Sequence, residues 1–580
     1  MDKITAFFGS PQNLCHRQYE TLRAFLYEKK SADEVAEKYG YSKATIYSMA
    51  RDFKGLLNNQ KSNDYFFSKT QLGRPEKTST PQAKDKVIAL RKHYLSIEEI
   101  KEKLDAQGEK VSETFIHNIL KIAGFARLPK RSKIAKIEIN SNIKIVAPVA
   151  ELLTGENESF NSSNVGVLCF LPIIKSYKID NLINNSLYPE TKTIPKINSI
   201  LSFVALKLSS IKRYSKDDLW CMDRGLGMFA GLNVLPKATW FGSYSHRVTR
   251  DMNITFLREM NKLWQKNELL SDTANLDFTA VPYWGDDAHL ENNWSGTRHK
   301  ALPSILAAIA HDPDSGIITY GNADVKHDNE SDIVVEFLDF YKINGTGNLK
   351  YLVFDSKFTT YQNLKKLDDN DTKFLTIRRR GEKIVKEIES LLKSAWKIVS
   401  VTCGNGKKRS VKVNEQKIFL RGYEKEIRQI AITGNGKIKP ALIITNDFDL
   451  AQADIVKKYA LRWLVEKTIS EQAHFFHFNK ISSSMVIKVD FDLTMTILAY
   501  NLYKLLAKEL PRYEHHTAEK LYDKFINNSG NITVSEKEVE VELKKKRHLP
   551  AILSAMKNYT SHNIEWLGGK KINVLAASNS

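Results

Sequence analysis

Three residues in the C-terminal third of the chain have the types and the spacing to handle phosphate. Tyr459, Arg462 and Glu466 stand three and four residues apart, so on an α-helix they share one face. A guanidinium binds phosphate oxygens bidentately, and a carboxylate holds a hard cation such as Mg²⁺. Taken alone, this segment also fits an exposed helix with an ordinary Arg–Glu pair.

Two upstream aspartates favour the phosphate interpretation. Asp277 lies within the apolar stretch 273–285, and Asp355 ends the apolar stretch 349–355. Both stretches predict strands, and an aspartate at the C-terminal end of a central strand is where α/β folds place chemistry. Each residue has a plainer alternative, because Asp277 also suits a turn and Asp355 a helix cap.

A shared site for these side chains needs positive charge. Asp277, Asp355 and Glu466 would repel each other if they converged, and divalent cations remove that cost. Two Mg²⁺ ions about 3.5–4 Å apart can clamp an in-line displacement at phosphorus. Arg462 would then neutralise phosphate charge, and Tyr459 could donate a hydrogen bond to it.

A mixed α/β layer must position these groups. The predicted strands are 273–285, 302–312, 316–325, 349–355, 373–380 and 439–447, and the predicted helices are 331–345 and a stretch that ends at 367 and is capped near Thr359 or Thr360. Between 381 and 440, two Gly-Asn-Gly turns and alternating Val/Lys stretches predict a β-rich insertion.

The N-terminal region has a helix-turn-helix pattern. Residues 31–40 read as a capped helix closed by a glycine, and residues 41–53 as a second helix opened by Ser42. In such a unit the second helix enters the major groove of DNA. The residues that would face DNA are Lys43, Thr45, Tyr47 and Arg51. Helix pairs with a glycine turn also occur without DNA.

A second helical module follows a short linker. Residues 73–80 are rich in Gly, Pro, Ser and Thr and predict a linker, although Arg74 could also lie in a minor groove. The segments 96–107 and 112–123 predict another helix pair. Between residues 73 and 136 there are 15 Lys/Arg against 8 Asp/Glu, so the two modules together predict a bipartite grip on DNA.

The overall charge points to the same partner. The chain has 580 residues and a formal net charge of +20, which favours a polyanion, first of all nucleic acid; a merely soluble basic protein is the alternative. The four cysteines are scattered without a CxxC pair, no apolar run reaches the length of a membrane span, and the N-terminus has no signal-peptide core. These features predict a cytoplasmic protein.

Four motifs in the expected order resemble bacterial insertion-sequence transposases of the DDE type. They are DFTAVPYWG, YLVFDSKFTTY, FLTIRRR and the Tyr459-x2-Arg462-x3-Glu466 spacing, within residues 275–510. The resemblance implies an RNase H-like catalytic domain with a β-strand insertion before the glutamate helix. It also implies DNA cleavage and strand transfer with Mg²⁺ or Mn²⁺, two ions at one site, and a homodimer on double-stranded DNA, namely the terminal repeats and the target.

By that resemblance Asp277, Asp355 and Glu466 hold the metal ions, and Arg462 and Tyr459 contact phosphate. One residue departs from the family signature Tyr-x2-Arg-x3-Glu-x6-Lys, because Ala473 stands where the lysine is expected.

Several other residues near the signature are candidates for the site, the core or DNA contact. Glu471 is a rival to Glu466, but Glu466 has the Arg-x3-Glu spacing. Trp463 and the cluster Phe475, Phe476 and Phe478 are expected in the core. The run Arg378, Arg379 and Arg380 suits the DNA backbone, with a solvated charge run as the alternative.

The sequence thus predicts five parts. They are a helix-turn-helix domain at 1–70, a second helical DNA-binding module at 71–140, a mostly helical connecting region at 141–270, an RNase H-like core at 271–510 with its insertion at 381–440, and a C-terminal tail module at 511–580. The predicted function is that of a DNA transposase in a bacterial cytoplasm, associated with the nucleoid. The alternatives are a DNA-binding regulator with an inactive core and a nuclease of the same fold that does not join strands.

Overall fold

A computed structural model gives the fold in two compact units, Met1–Pro81 and Gln82–Ser580. The described residues are 11, 14–58, 80–92, 95–106, 110–123, 125, 158–212, 219–283, 290–295, 299–342, 349–358, 360–379, 381–402, 408–434, 440–479 and 486–578. Most of the predicted linker, the basic segment 128–136, and the residues Arg74 and Arg380 lie outside them. No helix in these ranges is long and apolar enough to cross a membrane.

The first unit contains the predicted helix pair. Its helices are α1 (Leu14–Leu22), α2 (Ala32–Tyr39) and α3 (Lys43–Asn58). Ser31 and Glu34 form a reciprocal capping box at the start of α2, and Gly40 ends it with a left-handed φ of 72°. Val35 and Ile46 are buried between the helices, so both predicted helices are present with their predicted caps.

The second unit begins with another small helical cluster. Its helices are α4 (Thr80–Lys92), α5 (Ile97–Ala106) and α6 (Glu113–Ile122). Ser96 and Ser112 cap α5 and α6, as their positions before the apolar runs predict. Val87, Ile100 and Ile116 form the centre of the cluster core.

The connecting region is mostly helical, and one of its helices is almost completely buried. It comprises β1 (Glu158–Ser162), α7 (Phe170–Ser176), α8 (Ile179–Asn185), α9 (Lys196–Leu208), α10 (Arg224–Phe229), α11 (Ala238–Ser245) and α12 (Arg250–Lys266). Every residue of α9 from Ile197 to Leu208 is buried, because α9 lies inside the core and not on its surface.

A ten-stranded mixed sheet is the centre of the second unit. Its strands are β2 (Thr273–Pro282), β3 (Asn292–Ser295), β4 (Lys300–His311), β5 (Ile318–Val325), β6 (Tyr351–Phe354), β7 (Lys373–Ile377), β8 (Lys397–Thr402), β9 (Lys408–Phe419), β10 (Glu426–Thr433) and β11 (Ala441–Thr445). The order is β3-β4-β2-β6-β7-β11-β10-β9-β8, with β5 beside β4.

The middle of this sheet changes from antiparallel to parallel pairing. β2 runs antiparallel to β4 and parallel to β6, and β6 runs parallel to β7. The crossovers are made by α13 (Ile333–Lys342) and α14 (Tyr361–Asp369), and Thr360 caps α14. Thr360 is one of the two predicted caps.

The insertion differs from its prediction at its start. Residues Glu382–Glu389 form a helix, α15, where short charged strands were expected. Ile388 packs on Ala431 and Leu442, so the burial of one apolar face stabilises a helix in this segment. The strands β8 to β10 follow and join the central sheet through the β10–β11 pair.

The remaining elements cover the sheet and build a second one. They are α16 (Gln452–Leu461), α17 (Trp463–His474), α18 (Val486–Lys508), α19 (Ala518–Leu521), β12 (Gly530–Val534), β13 (Glu538–Leu543), α20 (Leu549–Met556), β14 (Asn563–Ile564) and β15 (Lys570–Ala576). The second sheet has the order β1-β12-β13-β15-β14. It therefore unites a strand of the connecting region with strands from the C-terminal part of the chain.

Candidate active site

Two neighbouring strands bring Asp277 and Asp355 to the same level of the central sheet. β2 and β6 pair in parallel from Thr273 opposite Tyr351 to Asn275 opposite Val353. Continuing this register by two residues places Asp277 level with Asp355, which directly follows β6. The crossover connection between parallel strands produces this juxtaposition of residues far apart in sequence.

Glu466 lies on the second of two helical segments that meet at Arg462. The expectation of a single helix through Tyr459 and Glu466 is wrong, since α16 ends at Leu461 and α17 begins at Trp463. The Val465 amide donates to the Arg462 carbonyl, three residues back. This tight turn releases the Leu461 carbonyl, which accepts a hydrogen bond of 3.0 Å from the buried Asn275 side chain on β2.

The Arg462 guanidinium joins two of the carboxylates. Its Nη1 donates to Asp277 Oδ2 at 2.7 Å and its Nη2 donates to Glu466 Oε1 at 2.8 Å. The Arg462 side chain is 14% exposed and that of Asp277 18%, whereas that of Glu466 is 45% exposed. The chain of hydrogen bonds from Asp277 through Arg462 to Glu466 therefore begins at a largely buried side chain of the sheet and ends at the protein surface.

Burial is the main reason that the pKa of the Asp277 carboxyl is raised to about 6. The positive charge of Arg462 and a hydrogen bond from the Phe278 amide oppose the rise. The negative charges of Glu466 and Asp355 add to it. The three carboxylates thus share one electrostatic environment, in which a cation would favour their charged forms.

The turn after β6 holds Asp355 in place. The backbone amide and the hydroxyl of Ser356 donate to Asp355 Oδ1 at 2.5 Å and 3.1 Å. Phe358, at the end of this turn, stacks on Phe278 of β2 with ring centroids 3.6 Å apart. Packing beneath the site therefore ties the Asp355 turn to the strand that carries Asp277.

Residues 276–502 match the family model of the transposase DDE domain. The match begins one residue before Asp277 and includes Asp355, Arg462 and Glu466. It supports a DDE transposase, and with it an enzyme that acts on DNA. No curated protein matches the chain.

The donor chemistry of the transposase DDE domain fits a hard divalent cation. Asp277, Asp355 and Glu466 offer only carboxylate oxygens, the ligands that Mg²⁺ prefers. Within the described part of the chain, no group of three or more His, Cys, Asp or Glu is already assembled as a metal site. Arg462 stands between Asp277 and Glu466 and supplies the cationic charge there.

Tyr459, Arg378 and Arg379 are further candidates for contact with phosphate or DNA. The Tyr459 ring is 5.7 Å from the Arg462 guanidinium, and burial raises the pKa of the Tyr459 hydroxyl. Arg379 is exposed and donates to the Ser356 carbonyl at 3.3 Å, next to Asp355. Arg378 instead donates to Gln429 of β10 at 2.6 Å, so the two described arginines have different partners.

The predicted burial of the aromatic residues near the signature is wrong for one residue and confirmed for the others. The expectation of a buried Trp463 is wrong, because it is 53% exposed and its ring lies 4.1 Å from Lys467 Nζ. Its position at the start of α17 points its ring out of the core. The core placement of the phenylalanine cluster is confirmed, since Phe475, Phe476 and Phe478 are buried.

The rival glutamate has a separate contact. Glu471 Oε2 accepts the Ala518 amide at 2.8 Å and so links α17 to the start of α19. At the departure from the signature, Ala473 is followed by His474, which is exposed and lies within hydrogen-bond distance of Ser470.

The candidate DNA-facing residues lie on α3. Lys43 forms an ion pair with Asp33 of α2, and Thr45 hydrogen-bonds to Ser42. Tyr47 is 56% exposed, and Arg51 is exposed as well. Their contact with DNA stays a prediction.

Sequence reasoning missed two residues that position the site. Asn275 anchors the junction of α16 and α17, and its only signal was an amide within an apolar strand. Lys458 donates to Thr273 Oγ1 at 3.0 Å and lies 4.1 Å from the Tyr351 ring. No pattern in the sequence indicates that contact, because it depends on how α16 crosses the sheet.

Proposed function

We propose that this chain is the transposase of a bacterial insertion sequence, which binds the terminal inverted repeats, cleaves DNA and joins the cut strand to a target. The observation that carries the proposal is the bridge from Asp277 through Arg462 to Glu466, beside Asp355, inside a matched transposase DDE domain. The bacterial cytoplasm, in association with the nucleoid, would be its place of action.

The proposed core is RNase H-like. Strands β5, β4 and β2 are antiparallel neighbours, and β2, β6 and β7 are parallel neighbours. This order resembles the RNase H-like arrangement, with Asp277 on the central strand. The insertion from α15 to β10 stands before the glutamate helix, as the family resemblance implies.

The proposed roles follow from charge and position. Asp277, Asp355 and Glu466 would hold two Mg²⁺ or Mn²⁺ ions, and such ions supply charge to the attacking and leaving oxygens of a phosphodiester. Arg462 would turn its fork of N–H donors to a phosphate. Tyr459 would donate its hydroxyl hydrogen to the same group, since burial keeps that hydroxyl protonated.

DNA binding is proposed for the two helical modules and the arginine run. In the first module α3 would enter the major groove and present Lys43, Thr45, Tyr47 and Arg51. Arg379, beside the Asp355 turn, would contact the backbone near the cleaved bond, and Arg378, Arg380 and Arg74 are proposed as further backbone contacts. Two ends must be held together in transposition, so we propose a homodimer on DNA.

A cleavage and strand-transfer assay with DNA from the flanks of the element tests the proposal. The wild type would be compared, in Mg²⁺ and in Mn²⁺, with Asp355→Asn and Glu466→Gln. Glu471→Gln is the matched control, because it makes the same change on the same helix and keeps an acceptor for the Ala518 amide. Thermal unfolding of all variants checks that they fold.

We expect nicking at the element ends followed by joining in the wild type and in Glu471→Gln, and neither step in the other two variants. Nicking without joining would support the nuclease alternative. Binding of the ends without cleavage in either metal would refute the enzyme and support the regulator alternative.

A further inference from the structure

Basic side chains gather on the C-terminal part of the chain, beyond the matched transposase DDE domain. Residues 544–547 are Lys-Lys-Lys-Arg, and His548 follows them as the N-cap residue of α20. Lys520 lies in α19, Lys524 lies in the helical segment Tyr522–Ile526 that follows it, and His516 precedes α19. We call this set the C-terminal basic surface, comprising His516, Lys520, Lys524, Lys544, Lys545, Arg547 and His548.

Direct contacts bring the two segments together. Lys524 Nζ lies 3.1 Å from His548 Nε2, and His548 Nδ1 lies 2.9 Å from the Tyr513 hydroxyl. The Tyr513 ring is also 5.0 Å from the His516 ring. Lys524, His516 and His548 therefore lie around Tyr513. Besides burial and Lys524, the charges of Lys520 and Arg547 help to lower the pKa values of the two imidazoles, although the two segments are more than twenty residues apart in sequence.

The contacts determine the protonation of His548. An ammonium only donates hydrogen bonds, so Nε2 of His548 accepts from Lys524 and the ring proton lies on Nδ1, where it donates to Tyr513. Burial, followed by the charges of Lys524 and Arg547, lowers the pKa of His548. A neutral imidazole thus orients the Lys524 ammonium, which keeps two further N–H donors for a ligand.

Three exposed cations of this surface form no ion pair with a described residue. In the part of the chain that the structure describes, none of Lys520, Lys545 and Arg547 forms an ion pair with a carboxylate, and all three are exposed. Three carboxylates, Glu514, Glu519 and Asp523, belong to the same segment as Lys520 and are exposed, and among the described residues none of them forms an ion pair with these cations. Within 514–524 and 544–547, six Lys and Arg residues stand against these three carboxylates, so the surface keeps a net positive charge that favours an anion.

We propose that the C-terminal basic surface binds the phosphate backbone of duplex DNA, independently of sequence. Lys, Arg and Tyr are side chains that contact backbone phosphates, and α20 begins here without a side-chain cap, so the positive end of its dipole adds to the field. The choice of DNA as the polyanion rests on the proposed function. The surface would act as a contact separate from the helical modules and from the catalytic carboxylates.

Binding of the full-length protein to a labelled random-sequence duplex, in EDTA and over a range of salt concentrations, tests this proposal. The variant Lys520→Gln/Lys545→Gln/Arg547→Gln removes three charges from the surface. The control Lys192→Gln/Lys237→Gln/Lys266→Gln removes three charges from exposed positions elsewhere in the same unit. Thermal unfolding checks that both variants fold.

We expect the slope of log affinity against log salt to become less steep by about 2.7 in the surface variant, since each phosphate contact contributes roughly 0.9. The control should keep the wild-type slope. Equal changes in both variants would show an effect of net charge alone, and no change in either would show that the surface does not contact DNA; each result overturns the proposal.

The outcome is separable from that of the proposed function. A surface variant with the wild-type slope that still cleaves element ends would overturn only the DNA contact. If the surface variant bound DNA like the wild type but lost sedimentation with phosphatidylserine vesicles, the surface would bind a membrane and the proposal would be overturned.

Discussion

Arg462 supplies the positive charge at the carboxylates when no metal is bound, and its removal should strengthen metal binding. The substitution Arg462→Gln deletes the bonds of 2.7 Å to Asp277 and 2.8 Å to Glu466. A hydrogen bond between charged groups contributes about 1.5–3 kcal/mol when shielded from water. The Glu466 bond is largely exposed and contributes little, so the Asp277 bond dominates.

A metal ion that binds Asp277 and Glu466 in the wild type must displace this guanidinium. If the displaced interaction contributes about 2 kcal/mol, Mn²⁺ should bind Arg462→Gln roughly 30-fold more tightly than the wild type. Without metal, the variant should unfold at a lower temperature than the wild type, because Asp277 loses its partner. The difference between the two unfolding temperatures should become smaller as Mn²⁺ is added.

Calorimetric titration of Mn²⁺ into DNA-free protein at pH 8 measures this affinity. The pH matters because Arg462 opposes the rise in the pKa of Asp277, so its removal moves that pKa further above about 6 and the carboxyl must be kept ionised. Arg428→Gln is the matched control, since it removes a two-bond pair with Glu415 of 2.6 Å and 3.1 Å in the insertion.

Unchanged or weaker Mn²⁺ binding by Arg462→Gln would refute the reasoning, because the guanidinium and the metal would then occupy separate positions. Tighter binding in Arg428→Gln as well would mean that net charge, and not the bridge, governs the affinity.

Three further predictions concern buried and exposed groups of the second unit. Asn275→Ala should lower the free energy of unfolding by about 1–3 kcal/mol, since the Leu461 carbonyl loses its buried donor, and cleavage should fall with it; wild-type values for both would contradict the anchoring role. Burial lowers the pKa of His311 to about 4, whereas a histidine in the unfolded chain has a pKa of about 6.5. The unfolded chain therefore takes up the proton first as the pH falls, and the free energy of unfolding should decrease between pH 6.5 and pH 4, by about 3 kcal/mol at pH 4. Denaturant unfolding of His311→Gln should show a weaker pH dependence. Trp463→Ala should change the unfolding temperature little, whereas Trp264→Ala, at a fully buried position, should destabilise by about 3–5 kcal/mol; equal shifts would place Trp463 in the core.

Local patterns predicted much of the fold because they report local energies. The Ser31 capping box, the Gly40 stop and the Thr360 cap are each satisfied within a few residues of chain, so the sequence contains their whole explanation. The apolar stretches of β2 and β6 were predicted for the same reason. The helix at Glu382–Glu389 was not, since its apolar face is stabilised by the distant strands β10 and β11.

The amino-acid sequence defines the residue types of the site, its catalytic candidates and their order along the chain. The Arg462-x3-Glu466 spacing and the two aspartates at predicted strands are sequence features, and all of them lie within the family match. How these residues meet follows from the tertiary fold. The parallel β2–β6 register places Asp277 level with Asp355, and Asn275 holds the helix junction from which Arg462 reaches both Asp277 and Glu466. Such contacts depend on strand order and on helix packing across the sheet, which arise from the burial of the whole core and not from any local pattern.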